Sequence, residues 1–121
     1  MATIEQLRSD GLLPLIITDH QGIVIEVNSL FEETFGWLAE EIIGQSLTVI
    51  LPAYFRDSHH LGFSRFTATG VSTILNHPLK LKALTKEQVE ITSEHFIIAE
   101  QQNGHWVFAA TLRPLSDELT E

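Results

Sequence analysis

The stretch LIITDHQGIVIEVNSLFEETFGWLAEEIIGQSL (residues 15–47) decides the fold of this chain. It opens with two runs rich in β-branched residues, 14–19 and 23–28, which are joined by the short link HQG at 20–22. Two such runs separated by a tight polar link predict a β-hairpin. Apolar residues then recur at helical spacing, so the hairpin leads directly into a helix.

Helix-capping residues mark the ends of the predicted helices. Asn28 and Ser29 are alternative caps at the start of the helix after the hairpin, since Ser29 also has capping-box spacing to Glu32. Glycines follow most of the helices and predict where they end. The predicted helices are residues 3–10 (capped by Thr3, ended by Gly11), 29–35 (ended by Gly36), 39–43 (ended by Gly44) and 53–68 (after Pro52, ended by Gly70).

The last third of the chain changes to the two-residue period of β-strands. Three strands are predicted, at residues 72–84, 87–99 and 105–115, and the Asn-Gly pair at 103–104 is a strong tight-turn signal. Pro78 indicates an edge strand or a bulge. The order of elements predicts an α+β domain with one five-stranded antiparallel sheet and helices on one face.

Composition favours a single globular domain with an acidic surface. The chain has 121 residues, 44% of them hydrophobic, and a formal net charge of −9. Such a length can bury a core without disulfides or metal. A surface this acidic repels nucleic-acid phosphates and anionic lipid, so neither partner is expected.

The chain contains no cysteine, which excludes disulfides, thiolate catalysis, a covalent flavin–cysteinyl adduct and a cysteine-linked chromophore. No apolar stretch approaches the ~18 residues that a membrane span requires. The first residues, MATIEQLRSDG, are too polar for a secretory signal. A cytoplasmic location is therefore expected.

Residues 15–47 resemble the N-terminal signature of the PAS family of sensory domains. In that signature a strand ends in Asp, a Gly turn follows, a second strand ends in Asn, and an aromatic helix and a Glu-Glu-Ile-Ile-Gly segment come next. The matching residues are Asp19, Gly22, Asn28, Phe31, Phe35, Gly36, Glu40, Glu41, Ile42, Ile43 and Gly44. The resemblance implies a PAS domain over residues 12–115, an N-terminal helix or cap at 1–11 and a tail at 116–121.

The signature residues have structural roles rather than chemical ones. Glycines supply backbone freedom at turns and helix ends, while Asp19 and Asn28 are expected to bind turn amides. One departure from the family is the loop at 84–88, which reads LTKEQ where an Asp-Gly turn is common. This difference concerns the shape of the loop and leaves the fold unchanged.

The resemblance also implies a function. PAS domains commonly enclose a small pocket between helices and sheet, and they pass a signal to an effector such as a histidine kinase, cyclase or phosphatase. They often dimerise, here through the sheet face or the N-terminal helix. The resemblance therefore implies a signal-transduction module that binds a small ligand or a partner protein.

His59 is the candidate pocket residue in the long helix. Phe55, His59, Phe63 and Phe66 share one helical face, whereas His60 is turned about 100° away. The two adjacent histidines therefore cannot serve one buried site together. An inward imidazole on a face lined by phenylalanines can be a packed side chain or an axial haem ligand.

A resemblance to oxygen-sensing haem PAS domains supports the second alternative. Those domains carry Arg-x-x-His in this helix, and a further Arg next to an aromatic residue six positions on. Arg56, His59, Arg65 and Phe66 match that pattern. It implies that His59 would bind the iron and that Arg65 would lie near a haem propionate. The gas-responsive Arg of the next strand is missing, because its position falls near Leu79. The cofactor therefore stays unassigned.

Further residues are expected to line the pocket or to lie on the opposite sheet face. The residues expected to line the pocket or the core are Leu15, Ile17, Ile25, Phe55, His59, Phe63, Phe66, Ile74, Val89, Ile91, Phe108 and Ala110. The residues expected on the opposite face are Phe96, Ile98, Trp106 and Leu112. A sheet with two apolar faces needs two covers, and residues 3–10 or a second subunit would form the second one.

Catalytic and metal-binding motifs are absent from the sequence. It has no nucleophile elbow, P-loop, dinucleotide fingerprint or helical metal pair. His20 and His105 lie at turns and are expected to be solvated, while His77 and His95 lie in strands without a partner at metal-ligand spacing. No enzymatic activity is expected.

Overall fold

The computed structural model describes residues 2–69, 75–76 and 78–115. The helices are α1 (Ile4–Asp10), α2 (Ser29–Phe35), α3 (Ala39–Ile42), a 3₁₀ helix (Leu47–Ile50) and α4 (Ala53–Thr69). The strands are β1 (Leu15–Thr18), β2 (Val24–Val27), β3 (Leu79–Leu84), β4 (Glu90–Gln102) and β5 (His105–Pro114). They form one antiparallel sheet in the order β2-β1-β5-β4-β3. The predicted α+β class and five-stranded sheet are confirmed.

The hairpin and the helix after it are held by two polar side chains. Asn28 caps α2: its Oδ1 accepts hydrogen bonds from Phe31 N (2.9 Å) and Leu15 N (3.0 Å), and its Nδ2 donates to Leu13 O (2.9 Å). Asp19 Oδ1 accepts from the backbone amides of residues 21 and 23 in the turn. The alternatives for the cap are thereby resolved in favour of Asn28, and the structural roles predicted for both residues are confirmed.

Several boundaries differ from the sequence-based expectation. Residues 75–76 form a turn rather than strand, because Asn76 has φ 68° and its N–H donates to Ile97 O (2.9 Å). Residues 72–74 and 77 of the predicted strand 72–84 lie outside the described residues, as does Gly70, which was predicted to end the long helix. Pro78 directly precedes β3, which is an edge strand as predicted.

The turn between β4 and β5 is tighter than expected. β4 continues through residues 100–102, beyond the predicted strand end at residue 99, and only Asn103 (φ 54°) and Gly104 (φ 83°) link the two strands. Positive φ at both central residues is the geometry that an Asn-Gly pair favours. The long paired strands β4 and β5 form the centre of the sheet.

The two sheet faces are covered by different helices. We call the side facing α2 to α4 the cavity face and the side facing α1 the back face. The main buried residues on the cavity side are Ile16, Val24, Phe31, Phe35, Ile42, Ile50, Leu51, Ala83 and Leu112. Those on the back face are Ile4, Leu15, Ile17, Ile98 and Ala109. Of the two covers expected for the second face, residues 3–10 or a second subunit, the structure shows α1 packed there, since Ile4 belongs to this cluster.

Polar contacts fix α1 on the back face. The Arg8 guanidinium donates to both carboxylate oxygens of Glu26 (2.9 and 3.0 Å), and Ile4 N donates to Glu100 Oε2 (2.8 Å). The Arg8–Glu26 pair is a two-point contact from helix to strand β2. The N-terminal helix is therefore an integral part of the domain surface.

The assignment of residues to faces was partly wrong. Leu15 and Ile17 lie on the back face, whereas Leu112, expected there, belongs to the cavity-side core. Trp106 also lies on the cavity side, where its ring contacts Phe66. In β5 the residues at 106, 108, 110 and 112 must share a face, because strand side chains alternate.

The other residues that were assigned to the pocket or to the opposite sheet face fall into three groups: correctly placed, wrongly placed, and outside the described residues. Phe96 and Ile98 lie on the back face as predicted. Ile25 and Val89 are exposed rather than pocket-lining, and Ile74 lies outside the described residues. None of the helices within the described residues, 2–69, 75–76 and 78–115, is long and apolar enough to cross a membrane.

Candidate functional site

A cavity of about 470 Å³ lies between α4 and the cavity face of the sheet. The cavity is partly open to solvent. Natural protein interiors are packed at nearly crystal density, so a gap of this size between a helix and a sheet is unusual. Most of the lining is aliphatic or aromatic. The lining residues are Ile16, Thr18, Gly22, Leu47, Ile50, Leu51, Phe55, His59, Phe63, Arg65, Phe66, Leu75, Leu81, His95, Ile97, Phe108, Ala109, Ala110 and Leu112.

Aromatic rings connect α4 to the sheet across this cavity. Phe63 lies 5.4 Å from Phe108, and Phe66 lies 4.8 Å from Trp106 and 5.5 Å from Phe108, measured between ring centroids. These separations and tilts are those of favourable aromatic pairs. These rings pack the helix against the sheet, and those of Phe63, Phe66 and Phe108 also form part of the cavity wall.

His59 lines the cavity, as its position on the helix predicts. Its side chain is partly buried, its ring stacks on Phe63 at 6.0 Å, and its Nδ1 is buried without a hydrogen-bond partner. Burial, with a smaller contribution from the neighbouring His60, lowers the pKa of His59. His60 is exposed, so the two adjacent histidines do point to different environments.

The other predicted pocket residues are also brought together. Arg65, Phe63 and Phe66 all line the cavity with His59. Arg65 is exposed and therefore lies at the surface edge of the lining, whereas Phe66 is buried. The four side chains thus share one site, and their role in binding a cofactor stays a prediction.

His95 is the site residue that sequence reasoning missed. It lies on β4, lines the cavity and is only 6% exposed. Its Nε2 is buried without a partner, and burial lowers its pKa to about 4. The one available signal was strand alternation, which places residue 95 on the same face as Ile97.

The strand beside His95 carries no cation into the cavity. Leu79, near which the resemblance to haem oxygen sensors places an Arg, pairs with His95 in the sheet and is partly buried. Lys80 and Lys82 are exposed, and Lys82 lies 3.7 Å from Glu90. This departure from the oxygen-sensor pattern, noted in the sequence, persists in the structure.

The remaining described histidines lie away from the cavity. His20 and His105 are exposed as predicted, and their rings stack at 4.4 Å between centroids. His77 lies outside the described residues. Among the residues with described positions, no group of three or more His, Asp or Glu side chains could hold a metal ion.

The chain belongs to the PAS family: the family model for the PAS fold matches residues 13–107. An uncharacterised protein from Azorhizobium caulinodans is 32% identical over 107 residues, which cover 88% of this chain and 15% of that protein. The chain therefore corresponds to a small part of the length of that relative.

Solved structures share the same fold. A PAS domain from a two-component sensor histidine kinase superposes with a TM-score of 0.69 at 11% identity, covering 90% of each chain. The PAS domain of the RpfR quorum-sensing receptor from Cronobacter turicensis, in complex with C12:0, has a TM-score of 0.64 at 16% identity. That match covers 86% of this chain and 94% of the other. At these identities the likeness extends to the fold alone.

Proposed function

We propose that this PAS domain is a sensory module of signal transduction whose cavity binds a small, mainly apolar ligand. The observation that supports this proposal is the cavity of about 470 Å³ with its aliphatic and aromatic lining. Ligand pockets in proteins have volumes of about 300–1,000 Å³ and combine such a lining with a few polar groups. His59 and His95 are polar groups of this kind here, because each has a buried nitrogen without a partner.

Ligand binding would act on the contact between α4 and the sheet. The rings of Phe63 and Phe66 meet Trp106 and Phe108 at the cavity wall. A ligand that separates or tightens these rings favours one position of α4 over another. Such a signal requires different affinities for the two positions.

No catalytic role is proposed for this site. In the described lining the titratable side chains are His59, His95 and Arg65, and they include no carboxylate or thiol. The one lining hydroxyl, Thr18 Oγ1, donates to the backbone oxygen of Asp19 (3.2 Å). A nucleophile beside a general base, which covalent catalysis requires, is therefore not part of the proposal.

The output would pass to a separate effector in the cytoplasm. A PAS domain of similar fold belongs to a two-component sensor histidine kinase, and the Azorhizobium relative is far longer than this chain. A histidine kinase, cyclase or phosphatase is the kind of effector we propose. A homodimer through the back face is proposed as well, because Leu12 is 79% exposed and lines a groove with Leu7, Leu13 and Phe96. The lining of this groove also includes charged side chains, namely Asp10, Glu94 and Arg113.

Naphthalene titration followed by ¹⁵N NMR tests ligand binding. A cavity of about 150 Å³ is known to hold benzene, so one three times larger admits a two-ring hydrocarbon. We expect shift changes concentrated at cavity-face residues such as Ile97 and Ala110. Ala110→Leu, which fills part of the space, should weaken binding, whereas His60→Asn on the exposed side should not. Changes confined to the back face, or none at all, would contradict the proposal.

Haem is the second candidate ligand, and the position of His59 favours it. A partly buried imidazole whose pKa is lowered is neutral at pH 7, as an iron ligand must be, and Arg65 lies in the same lining. These donors fit the group: His59 would hold the iron and Arg65 would lie near a propionate. Bound haem would supply an iron centre for a small gas molecule.

An absorption spectrum tests the haem candidate. Protein purified from cells grown with added haem should show a strong absorption band in the violet region. This band should disappear in His59→Ala and remain in His60→Ala. A colourless protein, or a band that His59→Ala leaves unchanged, would rule out His59 as a haem ligand. It would leave the apolar-ligand proposal in place.

A further inference from the structure

His95 lies in an apolar part of the cavity wall. Its register partners on the two neighbouring strands are Leu79 and Leu112. The side chain is 6% exposed, and no hydrogen-bond partner reaches its Nε2. The neighbouring cavity-facing residue along β4, Ile97, is also apolar.

An imidazole in this position has a free-energy cost. Burying a polar atom without a hydrogen bond costs about 1–3 kcal/mol, and natural proteins satisfy nearly all such atoms. Leu or Ile would suit this strand position without that cost. His95 lines the cavity, so a molecule bound there is the partner that the described residues leave open to Nε2.

We propose that His95 is the polar anchor of the cavity and that the ligand is a mainly apolar molecule with one uncharged hydroxyl group, an alcohol or a phenol. This inference rests on the ligand-binding function proposed above. A neutral imidazole has one donor and one acceptor nitrogen, and a hydroxyl both donates and accepts. A ligand hydroxyl group can therefore form a hydrogen bond with Nε2 whichever tautomer the imidazole adopts.

Charged ligands suit this position poorly. An anion would lose its hydration against leucine and isoleucine side chains, and the one cationic group of the described lining, Arg65, lies at the exposed edge. A cation would find no carboxylate in that lining. The net charge of −9 adds long-range repulsion of anions.

His59 is the competing anchor, and it provides the matched control. Its Nδ1 also lacks a partner, but the side chain is less buried than that of His95 and lies on α4 rather than on the central sheet. A group on a paired central strand is held more rigidly than one on a helix supported by a few rings. His95 is therefore the better fixed reference point for a ligand hydroxyl.

The experiment compares 1-naphthol with naphthalene, which differ by one hydroxyl group. Dissociation constants are measured by calorimetry for the wild type, His95→Leu and His59→Leu. In the wild type the hydroxyl satisfies Nε2, and in His95→Leu it has no partner. The preference for 1-naphthol over naphthalene should therefore fall by about tenfold in His95→Leu, and His59→Leu should preserve it.

The outcomes separate the anchor from the ligand-binding function. If naphthalene binds but the preference is unchanged in His95→Leu, or is lost in His59→Leu instead, the assignment of His95 is wrong and the cavity function stands. If neither compound binds to the wild type, both proposals fail.

A second measurement avoids dependence on the folding of the variant. In the wild type, the ¹⁵N chemical shift of His95 Nε2 should respond to 1-naphthol and much less to naphthalene. An equal response to both compounds would contradict the hydrogen bond.

Discussion

The back face and the cavity face of the same sheet differ in how completely they are packed. On the back face, Ile4 of α1 completes a cluster with Leu15, Ile17, Ile98 and Ala109, and an ion pair from Arg8 ties the helix down. On the cavity face, α4 contacts the sheet through aromatic rings, and a cavity of about 470 Å³ lies between the helix and the sheet. Buried polar atoms without partners occur at His59 and His95 on this second side.

The packing of the back face serves mainly the stability of the domain, whereas the cavity face carries the proposed binding function. A packed cluster whose polar contacts are paired contributes to the free energy of folding, and a face with a cavity and unpaired nitrogens gives up part of that contribution. The third unpaired buried atom in the described part of the chain, Trp37 Nε1, belongs to a residue that packs against the cavity-side core outside the cavity lining.

The largest expected effect comes from two adjacent residues of β4 that point to opposite faces. Ile98→Ala removes contacts from the packed cluster on the back face, where Ile98 is 2% exposed, and should lower the free energy of unfolding by about 3 kcal/mol. Ile97→Ala enlarges an existing cavity and should cost about 1 kcal/mol, because fewer contacts are lost. Urea unfolding measures both, and equal losses would mean that the two faces are equally packed.

A smaller effect concerns pH and the imidazole of His95. Its pKa is about 4 in the folded protein and 6.5 in the unfolded chain, so between these values the unfolded chain binds more protons. Stability should therefore fall as the pH falls, by about 2 kcal/mol between pH 7 and pH 5 from this group alone.

The matched variant His95→Leu isolates this contribution. Its unfolding free energy should depend on pH less steeply than that of the wild type in this range, while His60→Asn should behave like the wild type. The pH profile of His95→Leu must be subtracted from that of the wild type because His59, whose pKa is also lowered, lines the same cavity. Parallel pH profiles for wild type and His95→Leu would show that His95 is not buried as described.

The smallest effect is expected at the ion pair that ties α1 to the back face. Arg8→Gln should lower the free energy of unfolding by about 0.5 kcal/mol, because exposed ion pairs contribute little and are screened by salt. Lys82→Gln, which breaks a longer contact to Glu90, is the matched control and should cost less. A loss above about 2 kcal/mol at Arg8 would mean that α1 detaches without the pair.

Much of the fold could be predicted because its signals are local. The caps at Thr3 and Asn28 bind amides three residues away, and the turn at 103–104 depends on the backbone freedom of two residues. The choice between Asn28 and Ser29 was less certain. It was settled by the contacts of Asn28 with Leu13 and Leu15, which lie across the hairpin and carry no signal in the local sequence.

The candidate site could be predicted only in part. His59, Phe63 and Phe66 were found because a helix with one apolar face has a clear period. His95 was missed because β4 has apolar residues on both sides, with Phe96 and Ile98 facing α1 and Ile97 facing the cavity. The same two-sided pattern in β1 led Leu15 and Ile17 to be placed on the wrong face.

The sequence by itself determined the α+β fold, the order of the elements and the inward position of His59, because turns, caps and helical periodicity act over a few neighbouring residues. Only the tertiary structure decided which face of the sheet borders the cavity and which histidine lies deepest in it. The physical reason is that burial depends on packing between elements far apart in the chain, and a strand that is apolar on both faces does not specify which face meets which helix.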